Sequence, residues 1–167
     1  IGNAKGYTKM VMARFKEIGY RVQLFLLNAA DCGVPQRRER VFFCAVRDDI
    51  KAKPLELKPQ HRWISAGEAC EDLQELTALE KNETKPAPND LKCWPNTKKG
   101  DDYSKWLVRS ENRKACFNQY RIDDRKPSNT LSSTAGLYTH WDKCRTLTFR
   151  EWKRLGSFPD DYHAKTD

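Results

Sequence analysis

Apolar residues in the first fifty positions change from helical spacing to strand spacing. Before Gly19, which is suited to ending a helix, apolar side chains recur at helical spacing: Tyr7, Met10, Val11, Phe15 and Ile18. Val22, Leu24 and Leu26 then alternate with Arg21, Gln23 and Phe25, and residues 41–46 form a continuous apolar run. The pattern predicts one amphipathic helix followed by two strands, each with at least one buried face.

The middle of the chain carries a helix signal and then a long polar stretch. Ser65 and Glu68 have the spacing of a capping box, which predicts a helix from there to about Leu79. Residues 82–102 contain three prolines among many lysines and asparagines, so they are predicted to form a loop. The linker-like composition of residues 50–63 marks a boundary before this region.

The last third of the chain predicts short elements. Residues 105–117 are predicted as a short helix and residues 119–122 as a short strand. Thr148 and Glu151 form a second capping box, which predicts a helix that ends at Gly156.

The loop between the two predicted strands has the residue pattern that most clearly indicates a binding or catalytic site. Gly33 and Pro35 constrain its backbone, and the chain then enters the second strand, where alternate side chains point the same way. Gln36, Arg38 and Arg40 are therefore predicted to share one face, as a comb of donors suited to a phosphate or a heteroaromatic carbonyl. The alternative is an ordinary basic strand end, either solvated or paired with acidic neighbours.

Charge and composition limit the classes of protein to which this sequence can belong. The chain is 38% hydrophobic and 32% charged, with a net charge of +8. Residues 92–154 hold 15 Lys and Arg against 7 Asp and Glu, interleaved with aromatic side chains, which is typical of a nucleic-acid surface. The alternative is a basic surface that serves only solubility. With no apolar run near the roughly 20 residues of a membrane span, a soluble intracellular protein is expected.

The cysteines and histidines predict no metal site. Six cysteines are scattered without a C-x-x-C pair, so neither a zinc module nor a disulfide framework is indicated. His140 and Cys144 are four residues apart, but a structural zinc needs four ligands and no second close pair exists.

Two stretches together resemble bacterial DNA cytosine-5 methyltransferases. The first, LNAADCGVPQRRERVFFCAVR, follows the family's L-N-A-x-D-x-G-V-P-Q-x-R-x-R pattern running into a strand. The second begins with the P-S-N-T-L run at Pro127 and continues through HWDKCRTLTFREWKRLGSFPDDY. Trp141 and Gly156 stand where the family usually has Pro and Gln. The resemblance covers residues 1–55 and 120–162.

The resemblance implies a fold and a division into domains. It implies an α/β fragment, with the closing helix and strands of a Rossmann-like, S-adenosylmethionine-dependent methyltransferase sheet and a small, irregular α+β target-recognition domain. Residues 1–55 would be the C-terminal part of the catalytic domain. Residues 56–147 would be the target-recognition domain, and residues 148–167 a truncated helix that returns to the catalytic domain.

The resemblance also implies site residues. Such enzymes flip a cytosine out of the duplex, attack C6 with a cysteine and methylate C5 from S-adenosylmethionine. Arg40 would hydrogen-bond the cytosine O2, and Arg38 and Gln36 would support it or bind phosphate. Thr130 would contact the phosphate beside the flipped nucleotide, while Gln119 and Arg121 would read base edges. The full set of implied DNA-binding residues is Asn118, Gln119, Arg121, Arg125, Ser128, Thr130, Ser132 and Gly136.

Family segments that bind the cofactor or carry the nucleophile do not occur in this sequence: the glycine-rich loop, Pro-Cys-Gln and Glu-Asn-Val. The resemblance therefore implies a cofactor site outside this chain, no catalysis by the chain alone, and a missing N-terminal catalytic segment in cis or in trans. Double-stranded DNA is the expected partner, and no membrane is expected. Self-association is expected because the sheet is left uncovered. The expected location is the bacterial cytoplasm, at the nucleoid. Alternatives are one subunit of a split methyltransferase or a non-catalytic DNA-binding or regulatory module. RNA binding is a third possibility, whose motifs are absent.

Overall fold

The computed structural model describes residues 5–59, 62–73, 75–112, 119–132 and 135–163 of the chain. It is a mixed α/β structure with two small sheets. The helices are α1 (Lys5–Glu17), α2 (Ala66–Ala69), α3 (Ala78–Glu83), α4 (Pro88–Cys93), α5 (Tyr103–Glu111) and α6 (Phe149–Leu155). The strands are β1 (Tyr20–Asn28), β2 (Glu39–Arg47), β3 (Tyr120–Arg121) and β4 (Tyr138–Thr139). Short 3-10 helices cover Ala29–Cys32, Trp94–Asn96 and Ala135–Leu137.

The first fifty residues form a helix and an antiparallel hairpin, which confirms the helix and the two strands predicted from the sequence. Strands β1 and β2 pair from Tyr20 opposite Arg47 to Asn28 opposite Glu39. Gly19, with φ +81°, turns the chain from α1 into β1. The rings of Phe15 and Tyr20 meet edge to face at 6.2 Å and help to hold the helix on the hairpin.

The faces of this hairpin remain open, so the prediction of a buried face on each strand is wrong for the described part of the chain. No residue of β1 or β2 is fully buried. Leu26 is 53% exposed and Phe42 47%. Tyr7 on α1 is 71% exposed, and Ile18, directly after α1, is 68% exposed. The physical reason is that one helix and two strands cannot cover both faces of a sheet.

The main core lies in the second part of the chain. Its buried members are Ala66, Cys70, Ile122, Leu131, Tyr138, Trp141, Leu147 and Leu155. Strands β3 and β4 pair in parallel within it, and α6 packs on α2. The helix that follows residue 148 therefore shares a core with residues 66–147, while the domain boundaries implied by the resemblance stay a prediction.

Helix α2 is much shorter than predicted. Ser65 caps it by accepting a hydrogen bond from the Glu68 amide, but the helix ends at Ala69 and does not continue to Leu79. Its N-terminus is fixed by long-range bonds, from the amides of Ala66 and Gly67 to the carbonyls of Lys126 and Asp124. A separate helix, α3, then begins with its own capping box. The packing of α2 against the 124–126 turn decides its position, which local sequence signals do not encode.

The segment predicted as a loop over residues 82–102 contains regular structure instead. Helix α4 starts at Pro88, which suits the first turn of a helix because its missing N–H needs no partner there. A second buried cluster, Cys93, Tyr103 and Leu107, joins α4 to α5. The Tyr103 hydroxyl donates to the buried Asp90 carboxylate at 2.9 Å.

Helix α5 starts earlier than its prediction, at Tyr103 after the Asp102 cap. It ends at Glu111, and residues 113–117 of the predicted helix lie outside the described residues. Strand β3 confirms a short strand within residues 119–122. None of the helices described here is long and apolar enough to cross a membrane.

Helix α6 confirms its prediction and sits on a buried charge network. Thr148 and Glu151 make the capping box, and Gly156 follows the last turn. Glu151 also receives two hydrogen bonds from the Arg145 guanidinium, at 2.7 and 2.8 Å. Nδ1 of His140 accepts from two backbone amides, so its proton lies on Nε2, which is 3.5 Å from Glu151. Burial lowers the pKa of His140 to about 4, so this ring is neutral at neutral pH.

Candidate nucleic-acid interface

The loop from Ala29 to Arg38 is held in shape by one asparagine and one glycine. The Asn28 side chain accepts from the Ala30 amide at 3.2 Å and from the Arg38 amide at 3.0 Å, so it joins the two ends of the loop. Gly33 adopts φ +81°, a left-handed conformation that glycine adopts without strain. The backbone of residues 35–40 therefore follows a defined path from the loop into β2.

This loop docks on the segment of residues 128–131, so the structure brings the two family-like stretches together. The Arg37 amide donates to the Ser128 carbonyl at 2.8 Å, and the Ser128 amide donates to the Pro35 carbonyl at 2.9 Å. The Thr130 hydroxyl donates to the Arg37 carbonyl at 2.7 Å. We call this contact of residues 35–38 with residues 128–131 the junction.

Gln36 is the centre of the junction and is not part of an exposed comb. It is 5% exposed and precedes β2, forming an isolated bridge with Ser128. Its side-chain oxygen accepts from the Leu131 amide at 3.3 Å, and its side-chain nitrogen donates to the Leu155 carbonyl at 3.3 Å. Because both ends of its amide are used inside the protein, Gln36 does not form a comb of free donors with Arg38 and Arg40.

Arg38 and Arg40 lie in different environments. Arg38 is half-buried and donates to the Leu131 carbonyl at 3.4 Å, so it belongs to the junction. Arg40 is exposed on β2, and its guanidinium donates to the carbonyl of its neighbour Glu39 at 2.7 Å. That bond uses one of five donors, so Arg40 can reach a substrate without breaking the fold.

The remaining small residues of the implied DNA-binding set lie close to the junction. Ser128 is buried within it, and Thr130 is exposed at its edge. The Ser132 amide donates to the Tyr138 hydroxyl at 3.1 Å, and Gly136 is exposed in the 3-10 helix that precedes β4. Asn118 lies outside the described residues.

Gln119 and Arg121 are turned toward their own chain. The Gln119 side chain accepts from Asn89 at 3.3 Å. The Arg121 guanidinium lies over the Trp94 ring at 3.7 Å and donates to the carbonyls of Trp94, Thr97 and Trp141 at 2.7 to 3.2 Å. A bidentate contact between Arg121 and guanine would require several of these bonds to break, so this arrangement favours a structural role for Arg121.

Replacing Arg121 with methionine is expected to lower the free energy of unfolding by about 3 kcal/mol, because buried carbonyls lose their donors and Trp94 loses its cation. Denaturant titration measures this change. Arg121→Lys should recover part of the loss, since an ammonium can serve some of the same carbonyls. Unchanged stability together with relaxed DNA sequence preference would instead support base reading by Arg121.

Arg125 is paired rather than free. Its guanidinium donates to the Asp123 carboxylate at 3.1 Å, and the ammonium of Lys126 lies 3.4 Å from the same carboxylate. These cations lower the pKa of Asp123 although its burial opposes this. The turn of residues 123–126 thus exposes two basic side chains over one buried acid.

Sequence reasoning missed Arg37, Asn129 and Lys126. The Arg37 guanidinium donates to the Asn129 side chain at 2.7 Å, and all three residues line one small polar cavity. Strand alternation places Arg37 on the face opposite to Gln36 and Arg38, so Arg37 was not among the predicted site residues. The available signal was a basic residue close to each of two prolines: Arg37 follows Pro35 by two residues, and Lys126 directly precedes Pro127.

Comparisons with known proteins agree with the sequence resemblance. A sequence model described as "C-5 cytosine-specific DNA methylase" matches residues 2–167. The Type II methyltransferase M.BbvI of Brevibacillus brevis is 30% identical over 162 residues, which cover 90% of this chain and 43% of the relative. M1.HphI of Haemophilus parahaemolyticus is 29% identical over 164 residues, covering 91% of this chain and 42% of the relative.

A third relative, M.MthTI of Methanothermobacter thermautotrophicus, is 43% identical over a shorter stretch of 75 residues, 44% of this chain and 23% of the relative. The chain spans less than half the length of these curated relatives. Because the family model covers nearly the whole sequence, the chain belongs to the C-5 cytosine-specific DNA methylase family.

Proposed function

We propose that this chain supplies the target-base contact and the DNA-recognition surface of a DNA cytosine C5 methyltransferase. The observation that carries the proposal is the junction, which fixes the strand bearing Arg40 against the segment bearing Thr130. A base-contacting arginine and a segment that contacts the DNA backbone must keep a constant separation if a flipped cytosine is to be held beside its own phosphate. Hydrogen bonds between the two segments provide that rigidity.

Arg40 would act on the flipped cytosine through charge. Its guanidinium cannot lose a proton in the working pH range, so it serves as a donor and a fixed positive charge. A donor placed at O2 stabilises the negative charge that spreads into the ring during attack at C6. Arg38, held by the Leu131 carbonyl, would keep the entry to β2 in place.

S-adenosylmethionine, which supplies the methyl group in this family, fits neither of two cavities among the described residues. The polar cavity beside the junction has about 60 Å³, and the groove on α1 is lined by apolar side chains and Arg14. Neither offers an adenosine-sized pocket with donors for a ribose. The proposal therefore places the cofactor and the nucleophilic cysteine on another segment, in cis or in trans, and gives this chain no catalysis of its own.

The uncovered apolar surface of α1 and the hairpin supports a contact with further polypeptide. Tyr7 and Met10 on α1, Ile18 directly after it and Leu26 on β1 are each more than half exposed. Exposed apolar side chains of this size favour burial, either against the proposed catalytic segment or, for the isolated chain, through self-association. Double-stranded DNA and this segment are the partners that the proposal names.

Transfer of labelled methyl groups to duplex DNA tests the proposal. The chain alone is expected to give no incorporation, whereas its fusion to the N-terminal part of the Brevibacillus brevis relative should methylate cytosine at C5. Incorporation by the chain alone would contradict the proposed division of roles. Specific duplex binding without methyl transfer in any fused or mixed form would favour the non-catalytic DNA-binding module.

A further inference from the structure

We infer that the small polar cavity beside the junction binds one phosphate group of the DNA backbone, through Arg37 and Lys126. This inference rests on the proposed function and adds two residues to it. The cavity has about 60 Å³ and is lined by side chains that include Arg37, Tyr120, Asp123, Lys126, Ser128 and Asn129. Its size admits a phosphate group but not a nucleobase.

Arg37 is both oriented and available. Its backbone is fixed by the bonds to Ser128 and Thr130, and its guanidinium by the bond to the Asn129 side chain. The side chain is exposed, and the Asn129 bond uses one of its five donors. A guanidinium held in this way meets phosphate oxygens with little loss of side-chain freedom.

The charge around the cavity favours an anion. One buried carboxylate, Asp123, lines the cavity together with two basic side chains, Arg37 and Lys126, and it is also paired with Arg125. Asp124, the next carboxylate along the turn, is held by Lys99 at 2.8 Å. The cations therefore outnumber the carboxylate at the cavity, and both Arg125 and Lys126 are mostly exposed.

The position of the cavity suits a backbone contact rather than a base contact. Arg37 is three residues before Arg40, and the cavity shares Ser128 and Asn129 with the segment that bears Thr130. A phosphate bound here would lie on the DNA strand that also passes Thr130. Because phosphates are the same in every sequence, this contact would fix the register of the duplex without reading it.

The salt dependence of duplex binding by the full chain tests the inference. Arg37→Gln and Lys126→Gln should each reduce the slope of log affinity against log salt concentration by about 1, weakening all duplex sequences alike. The matched control is Arg47→Gln, at the far end of β2, which removes the same charge and should leave the slope nearly unchanged. Arg37→Lys should retain most of the slope because the charge remains.

The outcomes separate this inference from the proposed function. If both cavity variants keep the slope of the control while the chain still binds DNA, the phosphate site is refuted and the proposed function stands. If the unaltered chain shows no salt-dependent binding to duplex DNA, both fail. Lys126 has an exposed side chain, so Lys126→Gln should fold normally. Its salt slope therefore tests the phosphate site even if Arg37→Gln disturbs the junction.

Discussion

Replacing Arg40 with alanine in the fused, methylating enzyme is expected to lower turnover by about 10²–10³-fold, while DNA affinity changes little. A donor that acts where charge develops contributes far more to the transition state than to the ground state. Arg40 is exposed and makes one hydrogen bond, to the adjacent carbonyl, so its removal should not disturb the fold. Single-turnover methyl transfer and duplex titration measure the two effects separately.

The control for Arg40 is Arg47→Ala, on the same strand but at its other end, where the guanidinium pairs with Asp49. It should retain normal turnover. Arg40→Lys should recover little activity if O2 requires the planar geometry of a guanidinium. Normal turnover by Arg40→Ala would show that the alignment of this loop with the family is wrong.

Replacing Glu151 with alanine is expected to lower the free energy of unfolding by about 3 to 5 kcal/mol, the typical cost of removing one partner of a buried ion pair. The change strands the Arg145 guanidinium, which is 8% exposed, and also removes the acceptor of the Thr148 amide at the start of α6. Equilibrium unfolding in urea measures the loss.

Two variants divide that loss into its causes. Thr148→Ala removes only a helix cap and should cost about 1 kcal/mol. Combining Arg145→Met with Glu151→Leu removes both charges, so it should be much less destabilising than Glu151→Ala alone. A double variant as unstable as the single one would mean that the cap and the His140 contact, rather than the stranded charge, dominate the effect.

Elements defined by their own residues were predictable from the sequence. Helix α1 with its Gly19 stop, the two hairpin strands and the capped helix α6 all follow from signals within a few residues. The family was recognisable for a related reason: the stretch around Gln36 and the one around Thr130 each keep a fixed local spacing. A fixed local spacing can be read from one sequence alone.

Features that depend on distant partners were not predictable. The Gln36 side chain donates to the Leu155 carbonyl, 119 residues away in the sequence. Strand alternation alone does not predict the burial of Gln36 that accompanies this contact. The resemblance implies base reading by Arg121, and no sequence pattern indicates the carbonyls that it donates to, which come from residues 20 to 27 positions away. The position of the α2 N-terminus has the same origin, since the amides of Ala66 and Gly67 donate to carbonyls of the 124–126 turn.

Two bonds of the junction join peptide groups only, and the others use side chains, among them those of Gln36, Arg38 and Thr130. All of these bonds lie within residues 35–38 and 128–131, so the junction itself places no demand on the side chains of residues 50–127. Segments between residues 50 and 127 could therefore diverge, or be exchanged between relatives, and still inherit the same placement of Arg40. Under the proposed function, exchanging these segments would change the DNA specificity while the strand that bears Arg40 stays the same.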